Sequence, residues 1–113
     1  MLELDPSSAT AWFELASILE KFKQFEKSVY CYNQVIKRDS SHFEAWQKAG
    51  TLLLNLGKYQ ESLACFDGAI RCDPKSALAW YSKGTALQNL GNMKEAQCCF
   101  EKSDELLEKI PDQ

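Results

Sequence analysis

Histidine occurs once in these 113 residues, at His42, and that scarcity removes whole classes of chemistry. A metal site built on imidazole needs several ligands that converge, and a histidine-activated nucleophile needs a local signature around its Ser or Cys; neither pattern is present. The five glycines do not form a phosphate-binding loop. No apolar run approaches the roughly 18 residues that cross a bilayer, and no signal-peptide pattern opens the chain. Positive charge is also short. Thirteen Lys and Arg face sixteen Asp and Glu, for a net charge of −3, and the cations are spread along the chain. A phosphate backbone needs a concentrated cationic surface, so nucleic acid is not an expected partner. The expectation is a non-enzymatic cytoplasmic chain, or part of something larger, with no cofactor, no metal and no membrane insertion.

Cysteine, by contrast, occurs five times. Cys31, Cys65 and Cys99 are spaced thirty-four residues apart, so they share one place in a recurring unit. Stacked helices lie about 8–10 Å apart, beyond the roughly 7 Å between Cα atoms that a disulfide tolerates. Adjacent Cys98 and Cys99 on a helix point about 100° apart, which suits neither a disulfide nor shared metal ligation. These thiols are expected to be small packing residues in a reducing compartment.

The same interval of thirty-four governs the tryptophans, Trp12, Trp46 and Trp80, and further columns keep step with them. Leu19, Leu53 and Leu87 form one; Tyr32, Phe66 and Phe100 another. Small residues hold two more, Ala16, Gly50 and Gly84, and Ser28, Ser62 and Ala96. Self-similarity at this period is the mark of stacked supersecondary units. Within each unit the apolar spacing predicts two amphipathic helices. The first helices are expected near Ala9 to Phe22, Phe43 to Leu56 and Ala77 to Leu90; the second near Phe25 to Arg38, Tyr59 to Cys72 and Met93 to Lys109. Gly57 and Gly91 stand where the chain leaves a helix with positive φ, and Lys23 holds that place in the first unit. Ser8 and Ser76 are placed to cap first helices, and Asp73-Pro74 to end a second one. The small columns let the two helices of a unit approach, and the tryptophan, leucine and aromatic columns fill the space between pairs.

The ends depart from the pattern. Leu4-Asp5-Pro6-Ser7-Ser8 is in register with Cys72-Asp73-Pro74-Lys75-Ser76, so the chain is expected to begin in the tail of a preceding repeat's second helix, as a piece of a longer array. At the other end Leu107-Glu108 replaces the Asp-Pro stop, and the last helix is expected to run on to Ile110-Pro111. The organisation is then residues 1–8 as a tail of a preceding helix, 9–42, 43–76 and 77–110 as three repeats, the third with an extended final helix, and 111–113 as a tail.

The order Trp, small, Leu, Gly, small, aromatic, Asp-Pro, clearest in Trp80-Tyr81-Ser82-Lys83-Gly84 with Leu87, Gly91, Ala96 and Phe100, resembles the tetratricopeptide repeat family. That resemblance implies an all-α fold, a right-handed α-solenoid of antiparallel helix pairs, and a scaffold that holds a peptide segment of a partner protein in its concave groove. The family register turns Thr10, Phe13, Ser17, Glu20 and Lys21 toward the groove, then Glu44, Gln47, Thr51, Leu54 and Asn55, then Leu78, Tyr81, Thr85, Gln88 and Asn89. Asn side chains can both donate to and accept from a peptide backbone, and Phe13 and Tyr81 offer aromatic anchors. The Lys, Arg and Asn clamp by which co-chaperone relatives hold a chaperone's C-terminal carboxylate is replaced by Phe13, Ser17, Lys48, Leu78 and Ser82. The asparagine ladder of the relative that transfers sugar to Ser and Thr is replaced by Glu14, Lys48 and Ser82. Two other functions fit the same fold: self-assembly as a homo-oligomer through uncovered array ends, including Leu106, Leu107 and Ile110, and service as a targeting module of a larger enzyme.

Overall fold

The alternation of helical spacing and breakers resolves, in a computed structural model that describes residues 7–109, into helices only. They are α1 Ala9–Lys21, α2 Phe25–Arg38, α3 Phe43–Asn55, α4 Tyr59–Cys72, α5 Ala77–Asn89 and α6 Met93–Glu108. Each lies within one residue of its expected bounds, because the breakers act where the sequence puts them. Gly57 and Gly91 turn with φ of 81° and 86°, and Lys23 adopts φ 62° in the equivalent place. Ser8 and Ser76 cap α1 and α5 by accepting from the Ala11 and Ala79 amides, each at 3.2 Å. The third cap was not expected: His42 Nδ1 accepts from the Ala45 amide at 3.2 Å, so the one imidazole serves as a helix cap.

Consecutive helices pack in chain order, and α3 also meets α5 across the intervening α4. That skip contact puts first helices side by side along one face. The array is elongated, 47 × 34 × 23 Å with a radius of gyration of 15.0 Å, against about 13 Å for a round domain of this length.

The columns explain the packing. A Cβ added to Gly50 would stand 2.6 Å from the Phe66 ring, and one added to Gly84 2.6 Å from Phe100. The missing side chains are thus the room in which these rings lie. Gly68 does the same for Trp46, whose indole occupies the place a Cβ would need. The tryptophans are half-buried rather than enclosed. Trp46 Nε1 donates to the Ser40 carbonyl and Trp80 Nε1 to the Pro74 carbonyl, both at 2.9 Å, which pins the start of α3 and α5 to the preceding turn. Buried hydroxyls are satisfied across helices: Ser28 donates to the Ala16 carbonyl at 2.7 Å and Ser103 to the Ala77 carbonyl at 3.0 Å.

All five thiols are free. Cys31, Cys65 and Cys99 are buried, and burial pushes all three thiols up, Cys65 to about 11. The expected run of the last helix to Ile110 and the expected tail in residues 1–6 fall outside the described residues.

Candidate protein-interaction groove

First helices of successive repeats enclose a concavity of about 630 Å³ between α1, α3 and α5. Its position follows from the pairing, since each second helix packs behind its own first helix and leaves the front of α3 and α5 facing outward. Gln47, Thr51, Tyr81 and Thr85 line it, with Glu20, Glu44, Leu54 and Leu78 from the same register. Tyr81 and Leu78 stand proud of the surface at 56% and 60% exposure. Thr51 and Thr85 turn their hydroxyls back to the helix, donating to the Gln47 carbonyl at 2.9 Å and the Tyr81 carbonyl at 3.2 Å.

Seven of the residues expected in the groove do not line this cavity, Thr10 among them, exposed at the start of α1. Phe13 is half-buried, with its ring 5.5 Å from Tyr32 and 4.8 Å from His42. It packs within its own repeat, as Tyr81 does on the equivalent Phe100, with ring centroids 5.2 Å apart. Ser17 contacts the Tyr32 hydroxyl, and Lys21 is exposed beyond the cavity. Asn55, Gln88 and Asn89 are exposed at the helix ends, outside the cavity, and the Asn89 amide donates to the Thr85 carbonyl at 2.9 Å.

The cavity also includes Phe43 and Leu52, and it includes Lys48 and Ser82, which stand at the clamp and ladder positions of the family. Phe43 carries a signal in the sequence, since its column otherwise holds Ala9 and Ala77. Ser82 is buried and accepts from Gln47 Nε2 at 3.0 Å, a hydrogen bond that joins α3 to α5. Gln47 itself is only 7% exposed, so it forms the floor of the groove rather than its rim. Its Oε1 is buried and has no hydrogen-bond partner.

Below the rim, Tyr32 donates its hydroxyl to Glu20 Oε1 at 2.9 Å. Burial pushes this phenol up to about 12, with the bond to Glu20 and the nearby Glu44 charge adding to it. Among the described residues, no group of three or more His, Cys, Asp and Glu is placed to hold a metal ion. No described helix is long and apolar enough to cross a membrane.

Stacked antiparallel helix pairs with one open concave face define a helical-repeat solenoid. The chain belongs to the tetratricopeptide repeat family, whose models match residues 9–42, 31–64 and 48–97. No curated protein matches it in sequence. Among solved structures it is similar to MamA, with a TM-score of 0.88 at 24% identity over 94% of this chain and 62% of that one. MamA from Desulfovibrio magneticus RS-1 superposes with a TM-score of 0.81 at 20% identity, over 88% of this chain and 56% of that one. The chain thus spans about three fifths of the length of the MamA chains it matches, and at these identities the likeness concerns the fold alone. The second TPR of Spaghetti (RPAP3), solved bound to HSP90 peptide SRMEEVD, is similar at 26% identity and a TM-score of 0.80, over 87% of this chain and 91% of that one.

Proposed function

We propose that this tetratricopeptide array is a non-catalytic scaffold that holds a segment of a partner protein in the groove between α1, α3 and α5. Family membership supports a protein-interaction scaffold, because repeat arrays present extended concave surfaces for that purpose. A related repeat domain solved with a bound peptide supports the same use of the fold. The observation that carries the reading is the pairing of a concave, largely apolar cavity with Leu78 and Tyr81, 60% and 56% exposed, on its wall. Large apolar side chains at the edge of a concavity are the anchors through which interfaces gain most of their energy.

Affinity capture from a native lysate tests it, with wild type beside Leu78→Ala/Tyr81→Ala and a control, Asn33→Ala, on the exposed side of α2. Both groove residues are more than half exposed, and because the Tyr81 ring also lies 5.2 Å from Phe100, circular dichroism is used to verify that the double variant is folded. The proposal expects partners that survive the control and disappear with the groove variant, a loss of about 1–3 kcal/mol in affinity. Partners held equally by all three proteins would remove the groove from the account.

A second reading, self-association, is favoured by one observation on α1. Ile18 and Phe22 are 38% and 73% exposed, whereas the column equivalents of Ile18, Leu52 and Ala86, are 5% and 0% exposed. A helix covers those positions on α3 and α5, and a second copy of the chain has helices of that kind.

A further inference from the structure

The groove has a sign as well as a shape, and the inference drawn from it rests on the groove reading above. Glu20 and Glu44 line the same cavity from α1 and α3. Glu20 Oε1 accepts from the Tyr32 hydroxyl at 2.9 Å, and the charge of Glu44 is felt at the same hydroxyl. The ion pairs among the described residues are Lys83–Asp67 and Lys109–Glu105, so neither groove carboxylate has a cation of its own. Lys48 also lines the cavity, one helical turn beyond Glu44, yet makes no ion pair with it.

An independent observation points to a missing donor in the same place. Gln47 lies three residues after Glu44, on the same face of α3. Its Nε2 is engaged by Ser82 at 3.0 Å, and its Oε1 is buried without a partner. The side chain is only 7% exposed and lines the cavity. A buried acceptor without a donor is costly, and a group that enters the cavity with N–H bonds would relieve it. Two carboxylates without an ion pair and one amide oxygen without a donor form a set of acceptors.

We propose that the groove recognises a partner segment carrying a cationic side chain beside an apolar one, the cation at Glu20, Glu44 and Gln47 and the apolar group over Leu54, Leu78 and Tyr81. Arginine fits this set best, because its planar guanidinium offers five donors to the several acceptors that line one cavity. An acidic segment would meet two carboxylates and supply no donor. A wholly apolar segment would bury both charges without compensation.

A random peptide display library selected on the full chain tests this. Selected peptides are synthesised with a fluorophore and titrated by anisotropy. The proposal expects enrichment of Arg or Lys adjacent to a large apolar residue. It also expects affinity for these peptides to fall at least about tenfold in Glu20→Gln/Glu44→Gln, the range for hydrogen bonds to charged groups, and to weaken with added salt. Glutamine at position 20 keeps an oxygen for the Tyr32 hydroxyl, so the variant retains its fold. Peptides that require Leu78 and Tyr81 but show no basic enrichment and ignore the Glu→Gln pair would overturn the charge assignment while leaving the groove reading intact. Peptides that bind Leu78→Ala/Tyr81→Ala as well as wild type would overturn the groove reading itself.

Discussion

Gly50 and Gly84 are held small by the rings that lie on them. A methyl group at either position would stand 2.6 Å from Phe66 or Phe100, and both helices are fixed by neighbours on two sides. Gly50→Ala is therefore expected to destabilise by about 1–3 kcal/mol, the usual cost of overpacking, measured as a shift in urea midpoint. The first repeat already carries Ala16 in this column, where it and Tyr32 are both fully buried. Tyr32 has a pH signature of its own. Burial first, and the bond to Glu20 after it, push its phenol up to about 12, while the unfolded chain ionises near about 10. Between these values the folded state binds more protons, so this contribution is complete below about pH 10 and disappears as pH rises toward 12. Alkaline unfolding followed by circular dichroism should be steeper for wild type than for Tyr32→Phe, which cannot ionise. Residues of this kind were only partly legible in the sequence. The thirty-four-residue columns exposed Gly50 and Gly84, but Gly68 stands in a column with Gln34 and Lys102, so nothing in the pattern announced that it receives Trp46. His42 likewise reads as a turn residue, and its capping bond depends on a rotamer that spacing cannot specify.

At the scale of the helix, caps and turns determine the geometry of each pair. α1 and α2 are joined through Lys23 at φ 62°, where α3–α4 and α5–α6 use Gly57 and Gly91. A side chain in the left-handed region costs about 1 kcal/mol, so Lys23→Gly should stabilise the first pair by up to that amount, less the entropy that glycine loses on folding. Thermal melts of the substituted chain would register the gain. Helix bounds were readable because turn chemistry is local: a glycine after an apolar stripe ends a helix whatever surrounds it. The groove was less readable because it depends on which helices stand next to each other. Phe13, Gln47 and Tyr81 occupy one column, and Phe13 packs on Tyr32 as Tyr81 does on Phe100, yet Phe13 is half-buried beside His42, Gln47 is buried against α5, and Tyr81 is 56% exposed. The column fixes the direction along the helix. The neighbour on each side decides what that direction meets, and α1, α3 and α5 have different neighbours.

The outer faces of the first and last described helices are unlike. On α1 the positions equivalent to buried Leu52 and Ala86 leave Ile18 38% exposed, with Phe22 at 73% beside it. On α6 the columns that hold Val29 and Leu63, and Ile36 and Ile70, carry exposed Gln97 and Asp104. At these columns apolar residues face outward on α1 and polar ones on α6, where Met93 and Leu107 are the exposed large apolar residues. Any self-association should accordingly pass through α1. Sedimentation of Ile18→Glu/Phe22→Glu should give a lower mass at high concentration than wild type, while Leu107→Glu, at a position already 52% exposed, should leave the mass unchanged. The opposite pattern would assign assembly to α6. Between the ends, the elongated array carries its apolar, acidic concavity on one face, and that asymmetry is the basis of the functional account. Backbone amide chemical-shift mapping with a peptide selected on the chain tests that account most directly. The account predicts that the largest shifts fall on Glu20, Glu44, Gln47, Thr51, Leu54, Leu78, Tyr81 and Thr85. Shifts confined to the exposed surfaces of α2, α4 and α6 would contradict it.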